Sequence, residues 1–499
     1  MKTRQIALAA AACCAAFASL PSLAITASNY TNSGEITGDT LNIRISGASA
    51  QDAGILGSAL SLCVAGTVHR YAISNNFVFY CTPDIGTGPG QITVPAGKTK
   101  LAIYKYSVGG SYFGVGPLNS NTAANGSTLT GTGNQLPFLD LALINANLAG
   151  ATTTNVSFST SLGTYVNVAL GAASSAVTSV ATTYIGLSDM EPAFFTNTTS
   201  NLTANSVYAL IFGVPVSLNL RNALQGQQGL TSGSETEANM PSLSSAQISS
   251  AFTQQFQTWA GIGVNTGFVD DAIYVARRVN SSGTQKSFEA LFARTPNGQP
   301  GLKNCVVVDS SQSPATFLSG TNNVDNTSSG DAAALCNGAT TPVFSGSGGG
   351  DVRSCLSNHS AGGRGAIGML TTEDKFGSLN WRFVKVDGVT PNQVQTAVGK
   401  YRGYVESYLN TRTSGAFATG AAPGYPAFVT RLSTDLANPT IIKAINGTDQ
   451  SFGSAGLMAL YSRQVPAPTL DFTGATSVLP LTKADAIGVN NCQAPLVSF

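Results

Sequence analysis

Apolar and polar residues alternate in several short stretches of the chain, and each stretch runs into a loop of small residues. Leu41, Ile43 and Ile45 lead into Ser46-Gly47-Ala48-Ser49-Ala50, and Leu101-Ala102-Ile103-Tyr104 leads into Ser107-Val108-Gly109-Gly110-Ser111. Tyr184-Ile185-Gly186-Leu187 precedes Ser188-Asp189, and Ala272-Ile273-Tyr274-Val275 precedes Arg277-Arg278-Val279-Asn280-Ser281-Ser282-Gly283-Thr284. A strand-like pattern ending in Gly and Ser predicts strands of an open α/β sheet, whose ligands sit at strand ends. After Pro241-Ser242, the residues Ile248, Phe252, Phe256 and Trp259 fall on one face of a helix, which predicts an amphipathic helix burying that stripe. Thr390-Pro391 reads as a helix cap followed by proline at the first helical position, Gly399 as its stop, and Lys400 to Leu409 as a strand. Residues 117–180, rich in Thr, Asn, Ser, Ala and Gly, predict a long loop or insertion. So do residues 296–363, which combine Ser345-Gly346-Ser347-Gly348-Gly349-Gly350 with three cysteines.

Composition narrows the class. At 499 residues the chain can bury a large core, and the length prior of roughly 150 residues per domain suggests about three compact units or two enlarged ones. With 23 Phe, 15 Tyr and only 10% charged residues, it has the opposite composition to a charge-driven disordered chain. The 25 basic and 24 acidic residues nearly cancel, so no overall positive field exists to hold nucleic acid.

The N-terminus carries export signals. Lys2 and Arg4 precede an apolar run from Ile6 to Phe17, and Ser22-Leu23-Ala24 offers a small-x-small cleavage site. Residues 1–24 therefore read as a signal peptide cleaved near Ala24, which predicts a periplasmic or secreted protein. No later stretch is long and apolar enough to span a bilayer. Beyond the signal lie Cys63, Cys81, Cys305, Cys336, Cys355 and Cys492, an even number that predicts disulfides in an oxidising compartment. Cys63 and Cys81 are the local pair, and the other pairings are open. With no CxxC spacing and only His69 and His359, metal and haem chemistry are not expected, and no cofactor is called for. The absence of a GxSxG elbow and the scarcity of histidine also argue against a hydrolase.

The strand ends share one chemistry. Helix starts present unsatisfied N–H groups, Ser and Thr add hydroxyl donors, and Arg278 can clamp two oxygens with its planar fork. Such a set cradles a small oxyanion. Asp189 stands out, because a carboxylate beside an anion repels it unless the ligand donates a proton, which phosphate can do and sulfate cannot.

The order SGASA, SVGGS, GLSDMEP, ARRVNSSGTQKSF, GAIGML and FVKVDGVTP, from about Ile43 to Tyr404, resembles that of the phosphate-binding proteins of bacterial phosphate ABC transporters. The resemblance implies an α/β, two-lobed periplasmic binding protein type II fold enlarged by Ser/Thr/Gly-rich insertions. It implies a discontinuous lobe I from residues 25–206 and 385–499, and a lobe II from 207–384 with a cysteine-containing insertion around 296–363. It implies phosphate or a similar oxyanion as ligand and an ABC permease as partner. Carried over by position, the first loop offers Ser49, Ala50 and Gln51, with Ala50 standing where the family has a hydroxyl. The second loop offers Ser107 or Ser111, between which the pattern does not choose. Ser188 and Asp189 match the third loop, with Asp189 as proton acceptor; Arg278, Ser282, Gly283 and Thr284 match the fourth. Asn280 stands where the family commonly pairs an acid with the arginine. An exported structural or adhesive surface protein reusing the same fold is the alternative reading, consistent with the low charge and hydroxyl-rich insertions.

Overall fold

The structure is a computed structural model describing residues 38–88, 90–119, 135–171, 173–195, 200–253, 256–279, 281–292, 323–326, 336, 342–414, 418–464, 469–482 and 496–497. Residues 1–24, where the sequence reading expects a signal peptide, and Asn280, Cys305 and Cys492 lie outside the described residues.

The fold is mixed α/β. Its strands, in chain order, are β1 Thr40–Gly47, β2 His69–Ile73, β3 Asn76–Cys81, β4 Lys100–Tyr106, β5 Gln135–Leu139, β6 Thr152–Ser159 and β7 Gly163–Ala169. There follow β8 Thr178–Thr182, β9 Ile185–Ser188, β10 Leu202–Ser217, β11 Ser242–Leu243, β12 Tyr274–Arg278, β13 Asn323–Asn326 and β14 Val343–Gly346. The last are β15 Ala366–Gly368, β16 Leu370–Thr371, β17 Trp381–Val386, β18 Tyr404–Arg412, β19 Leu457–Leu460 and β20 Val478–Leu479. The helices used below are α1 Asp52–Leu62, α2 Ser245–Thr253, α3 Gly283–Leu291, α4 Gly349–Ala361, α5 Gln393–Ala397, α6 Tyr425–Leu436 and α7 Pro439–Asn446.

Two sheets share one strand. The first runs β6–β7–β2–β3–β4–β1–β9–β18–β10–β19–β20. The second runs β13–β14–β12–β15–β10–β17–β11. The first part of β10 pairs with β18, from Leu202 against Arg412 to Ile211 against Tyr404, while Val214 to Ser217 pair with Val384 to Trp381 of β17. From Val207 onward β10 is buried without alternation. That continuous apolar run is what a central strand covered on both faces requires. Helix α1 packs against α6 and α7 beside the first sheet, and α4 covers β12, β14 and β15 of the second.

The structure corrects several sequence expectations. The described part of 117–180 from residue 135 onward is not a loop: β6 and β7 form a hairpin that extends the first sheet through β2, and β5 pairs with β8 over a small core of Phe138, Leu141 and Ile144. Thr and Ser serve there as outward residues of strands, β6 being largely exposed, so composition read as loop what pairing makes sheet. The run Ser345 to Gly350 is likewise no linker but the end of β14 and the start of α4. Helix α2 covers only part of its predicted stripe. Trp259 lies beyond α2 but is fully buried, donating its indole N–H to Gly365 O, whereas Phe256 is 50% exposed. Asn392, not Thr390, caps α5, its side chain accepting from the Gln395 N–H, and the following strand starts at Tyr404 rather than Lys400. Cys63 is bonded to Cys81, the expected local pair, and Cys336 to Cys355.

Candidate functional site

The loop after β1 is held by a buried cation. Ala48 N–H donates to Leu187 O at 2.8 Å, so the chain leaves the sheet pressed against β9. Gly47, with φ near +112°, makes that approach; a Cβ there would stand 2.0 Å from Leu187 O. Lys105 of β4, fully buried, donates to Gly47 O at 2.9 Å, Ala48 O at 3.1 Å and Ser107 Oγ at 2.6 Å. It also lies 3.2 Å from Asp52 Oδ1 at the start of α1, and Ser107 donates to the same oxygen at 2.6 Å. Burial pushes the Lys105 ammonium down and the Asp52 carboxyl up, while each partner draws the other back toward the charged form.

A second junction ties the two sheets together. The Ser111 hydroxyl oxygen accepts the Asp189 N–H at 3.0 Å and the Gly283 N–H at 3.2 Å, joining a loop after β4, the loop after β9 and the start of α3. Gly283 must be glycine: a Cβ would lie 2.3 Å from Ser111 Oγ and 2.6 Å from Asp189 Oδ2. Asp189 is 2% exposed, and Gln51 Nε2 donates to its Oδ1 at 3.5 Å. Burial raises its carboxyl to about 6, against the opposing pull of Arg278 and the Ser111 and Gln51 hydrogen bonds.

Arg278 ends β12, where it pairs in register with Gly346 at the end of β14. Its Nε donates to Gly346 O at 3.1 Å and its Nη2 to Ser347 O at 2.6 Å. The glycine-serine run wraps the guanidinium because Asp351 closes the turn, accepting the Gly348 N–H at 3.0 Å and the Ser347 hydroxyl at 2.9 Å. Arg278 is 4% exposed, and burial lowers its pKa against the pull of Asp189.

Between the sheets lies a cavity of about 170 Å³. Ser49, Ala50, Asp52 and Asn75 line it from the first sheet; Arg278, Thr284, Gly349, Gly350 and Arg353 line it from the second. Leu370, Thr371, Glu373 and Asp374 line it from the segment at and after β16, which pairs with β10 at Phe212 and Gly213. Three helix starts, those of α1, α3 and α4, therefore open on one space.

Of the residues expected from sequence, Ser49, Ala50, Arg278 and Thr284 line this cavity. Gln51, Ser111, Asp189, Ser282 and Gly283 are buried and do not line it. Ser107 and Ser188 have other work: the first serves the Lys105–Asp52 pair, and the Ser188 hydroxyl donates to Met190 O while accepting from Asn410 Nδ2. Sequence reasoning missed Asp52, Lys105, Arg353, Glu373 and Asp374. The acid pair after Leu370-Thr371-Thr372 was a usable signal, an apolar strand ending in charge. Neither histidine lines the cavity. Cys336, Cys355 and His359 lie within 4.8 Å of one another, yet the sulfurs are bonded together and Arg364 Nε donates to His359 Nδ1 at 3.1 Å, so the group is a cross-link.

No family model matches the chain, and no curated protein sequence matches it. Solved structures resemble it only at low identity and low TM-score. One, from Clostridium perfringens, is described as a phosphate ABC transporter substrate-binding protein with bound phosphate; it shares 11% identity at a TM-score of 0.38, over 81% of this chain and 98% of that one. Another is a possible phosphate binding protein from Planctomyces limnophilus, with 10% identity, TM-score 0.30, and 81% and 90% coverage. A third is an ABC-type phosphate transport receptor from Vibrio cholerae, with 16% identity, TM-score 0.27, and 50% and 73% coverage. Likeness at this level leaves ligand and partner to the geometry of the site itself.

Proposed function

We propose that this chain is an exported solute-binding protein that captures phosphate or a similar small oxyanion in the cavity between its sheets. The observation that carries the reading is Arg278: a buried guanidinium fixed by two carbonyls at the wall of a cavity on which three helix starts open. Helix starts and hydroxyls such as Ser49 and Thr284 add donors, each charge-assisted bond contributing on the order of 1.5 to 3 kcal/mol. Asp189 lies behind that wall, off the cavity lining, and so bears on anion choice through the charge of Arg278 rather than by taking the ligand's proton.

In this reading the lobes divide at residues 206/207 and 384/385, β10 carries the chain between them, and their closure on ligand signals to an ABC permease. The role is capture, not catalysis. Export through a signal peptide ending near Ala24 suits the two disulfides, and no described helix is long and apolar enough to cross a membrane.

Isothermal titration calorimetry of ligand-stripped protein against phosphate and sulfate at neutral pH tests it. Saturable phosphate binding near micromolar, about −8 kcal/mol, with no sulfate binding is expected. Silence toward both from folded protein would reject the oxyanion reading and leave the surface-protein alternative.

A further inference from the structure

The charges around the cavity do not suit a bare anion. Two of the lining carboxylates are closed by cations: Asp52 by Lys105 at 3.2 Å, and Asp374 by Arg353 at 2.6 Å. Arg278 remains on one wall, with Asp189 coupled to it but off the lining. Glu373 remains on another. It has no ion pair or hydrogen bond among the described residues, and its Oε2 is shut off from solvent without a partner. Nearby, the fully buried Tyr208 hydroxyl also lacks a partner and feels Glu373 first, then Asp189 and Asp52. Glu373, an unpaired acid on the lining of a polar cavity, marks room for a hydrogen-bond donor.

An anion bound at Arg278 alone leaves Glu373 facing it, so that Glu373 either repels the ligand as a carboxylate or, kept protonated by burial, gives its proton to a ligand oxygen. A ligand ammonium at that end instead pairs with Glu373 as a carboxylate and leaves no like charges facing each other. Size agrees: about 170 Å³ has room for on the order of ten waters, roughly twice what the heavy atoms of phosphate fill. Resting on the oxyanion reading, we propose that the preferred ligand is a small zwitterion, an oxyanion carrying an ammonium group. Its phosphoryl or phosphonyl end sits at Arg278 and Thr284, and its ammonium end sits at Glu373. Glu373 is then the specificity-determining residue.

The test compares inorganic phosphate, ethyl phosphate and phosphoethanolamine by calorimetry on the wild-type protein and on Glu373→Gln, with a thermal melt to show that the variant folds. Phosphoethanolamine should bind at least about tenfold tighter than ethyl phosphate, which differs from it only by lacking the ammonium group. Glu373→Gln should bring the two to within about twofold, while inorganic phosphate binds as well as before or better. Equal affinities in the wild type, or a preference that survives Glu373→Gln, overturns the proposal. Phosphate binding without an ammonium preference removes this inference alone, whereas silence toward all three removes the oxyanion reading beneath it. The wild-type comparison decides the matter even if the variant does not fold.

Discussion

Lys105 and Arg278 occupy matching places, each a buried cation at the end of a strand beside a small-residue loop, one in each sheet. Their surroundings differ. Lys105 is fully enclosed, with two carbonyls, a hydroxyl and a carboxylate around one ammonium. Arg278 gives Nε and Nη2 to carbonyls and meets the cavity, with Nη1 uncommitted among the described residues. A cation whose donors are all engaged shapes the loop; one with a donor left over can hold a ligand. Burial and a place near a strand end alone would not have separated the two roles.

Breaking the first cation should cost stability. Lys105→Met leaves the partly exposed Asp52 without its counter-ion and the Gly47 and Ala48 carbonyls without their donor, a loss of about 3 kcal/mol read as a lower midpoint in denaturant unfolding. Loss of less than about 1 kcal/mol would mean that Lys105 does not hold the loop.

Asp189 sharpens the comparison through pH. Its folded pKa of about 6 lies above the ordinary 3.8, so its contribution to stability is complete below 3.8 and is lost as pH rises through 6. The loss reaches about 3 kcal/mol above both values. Asp189→Asn cannot ionise, so its stability relative to wild type should rise between pH 4 and 7. A constant difference across that range would show that Asp189 does not titrate there. The same variant removes the carboxylate that most offsets the charge of Arg278, so anion affinity should rise, and an unchanged affinity would show that the two groups do not couple.

Arg278→Met is the converse of the lysine variant. It should weaken phosphate binding by about a hundredfold, in keeping with charge-assisted bonds, while destabilising the fold less than Lys105→Met. Binding unchanged in calorimetry would place the ligand elsewhere. The smallest effect is expected at Thr284→Val, which keeps shape and removes one hydroxyl: a loss of about three- to tenfold in affinity. No loss at all would leave the arginines and the helix-start amides as the donors on that wall.

The legible parts of this fold are local. β1, β4, β9 and β12 could be read because their strand patterns end in small residues, and Arg278 and Thr284 reach the cavity from such an end. The Ser345 to Gly350 turn could not be read. Its Gly/Ser composition is that of a linker, and only the pairing of β14 with β12, some seventy residues earlier in sequence, makes it the cradle of Arg278. Asp52 and Lys105 were illegible for the same reason, since nothing local to either announces an ion pair 53 positions apart. The hydroxyl-rich strands β6 and β8 were lost because their outward positions are Thr, Ser and Asn, so the apolar alternation fades at an exposed edge. Phe256 misled in the opposite sense, a large apolar residue left on the surface where α2 stops short.

The shared strand β10 sets an order of assembly. Every strand it pairs with, β15 through β19, lies more than 140 residues further along the chain. At a synthesis rate of roughly 5 to 20 residues per second, β10 waits about ten to forty seconds for β18 to emerge, its apolar stretch unpaired on both edges. Neither sheet can close during that interval. The nascent chain is thus kept loose until it is nearly complete, the state that the proposed export would require and one in which an early holding chaperone is useful.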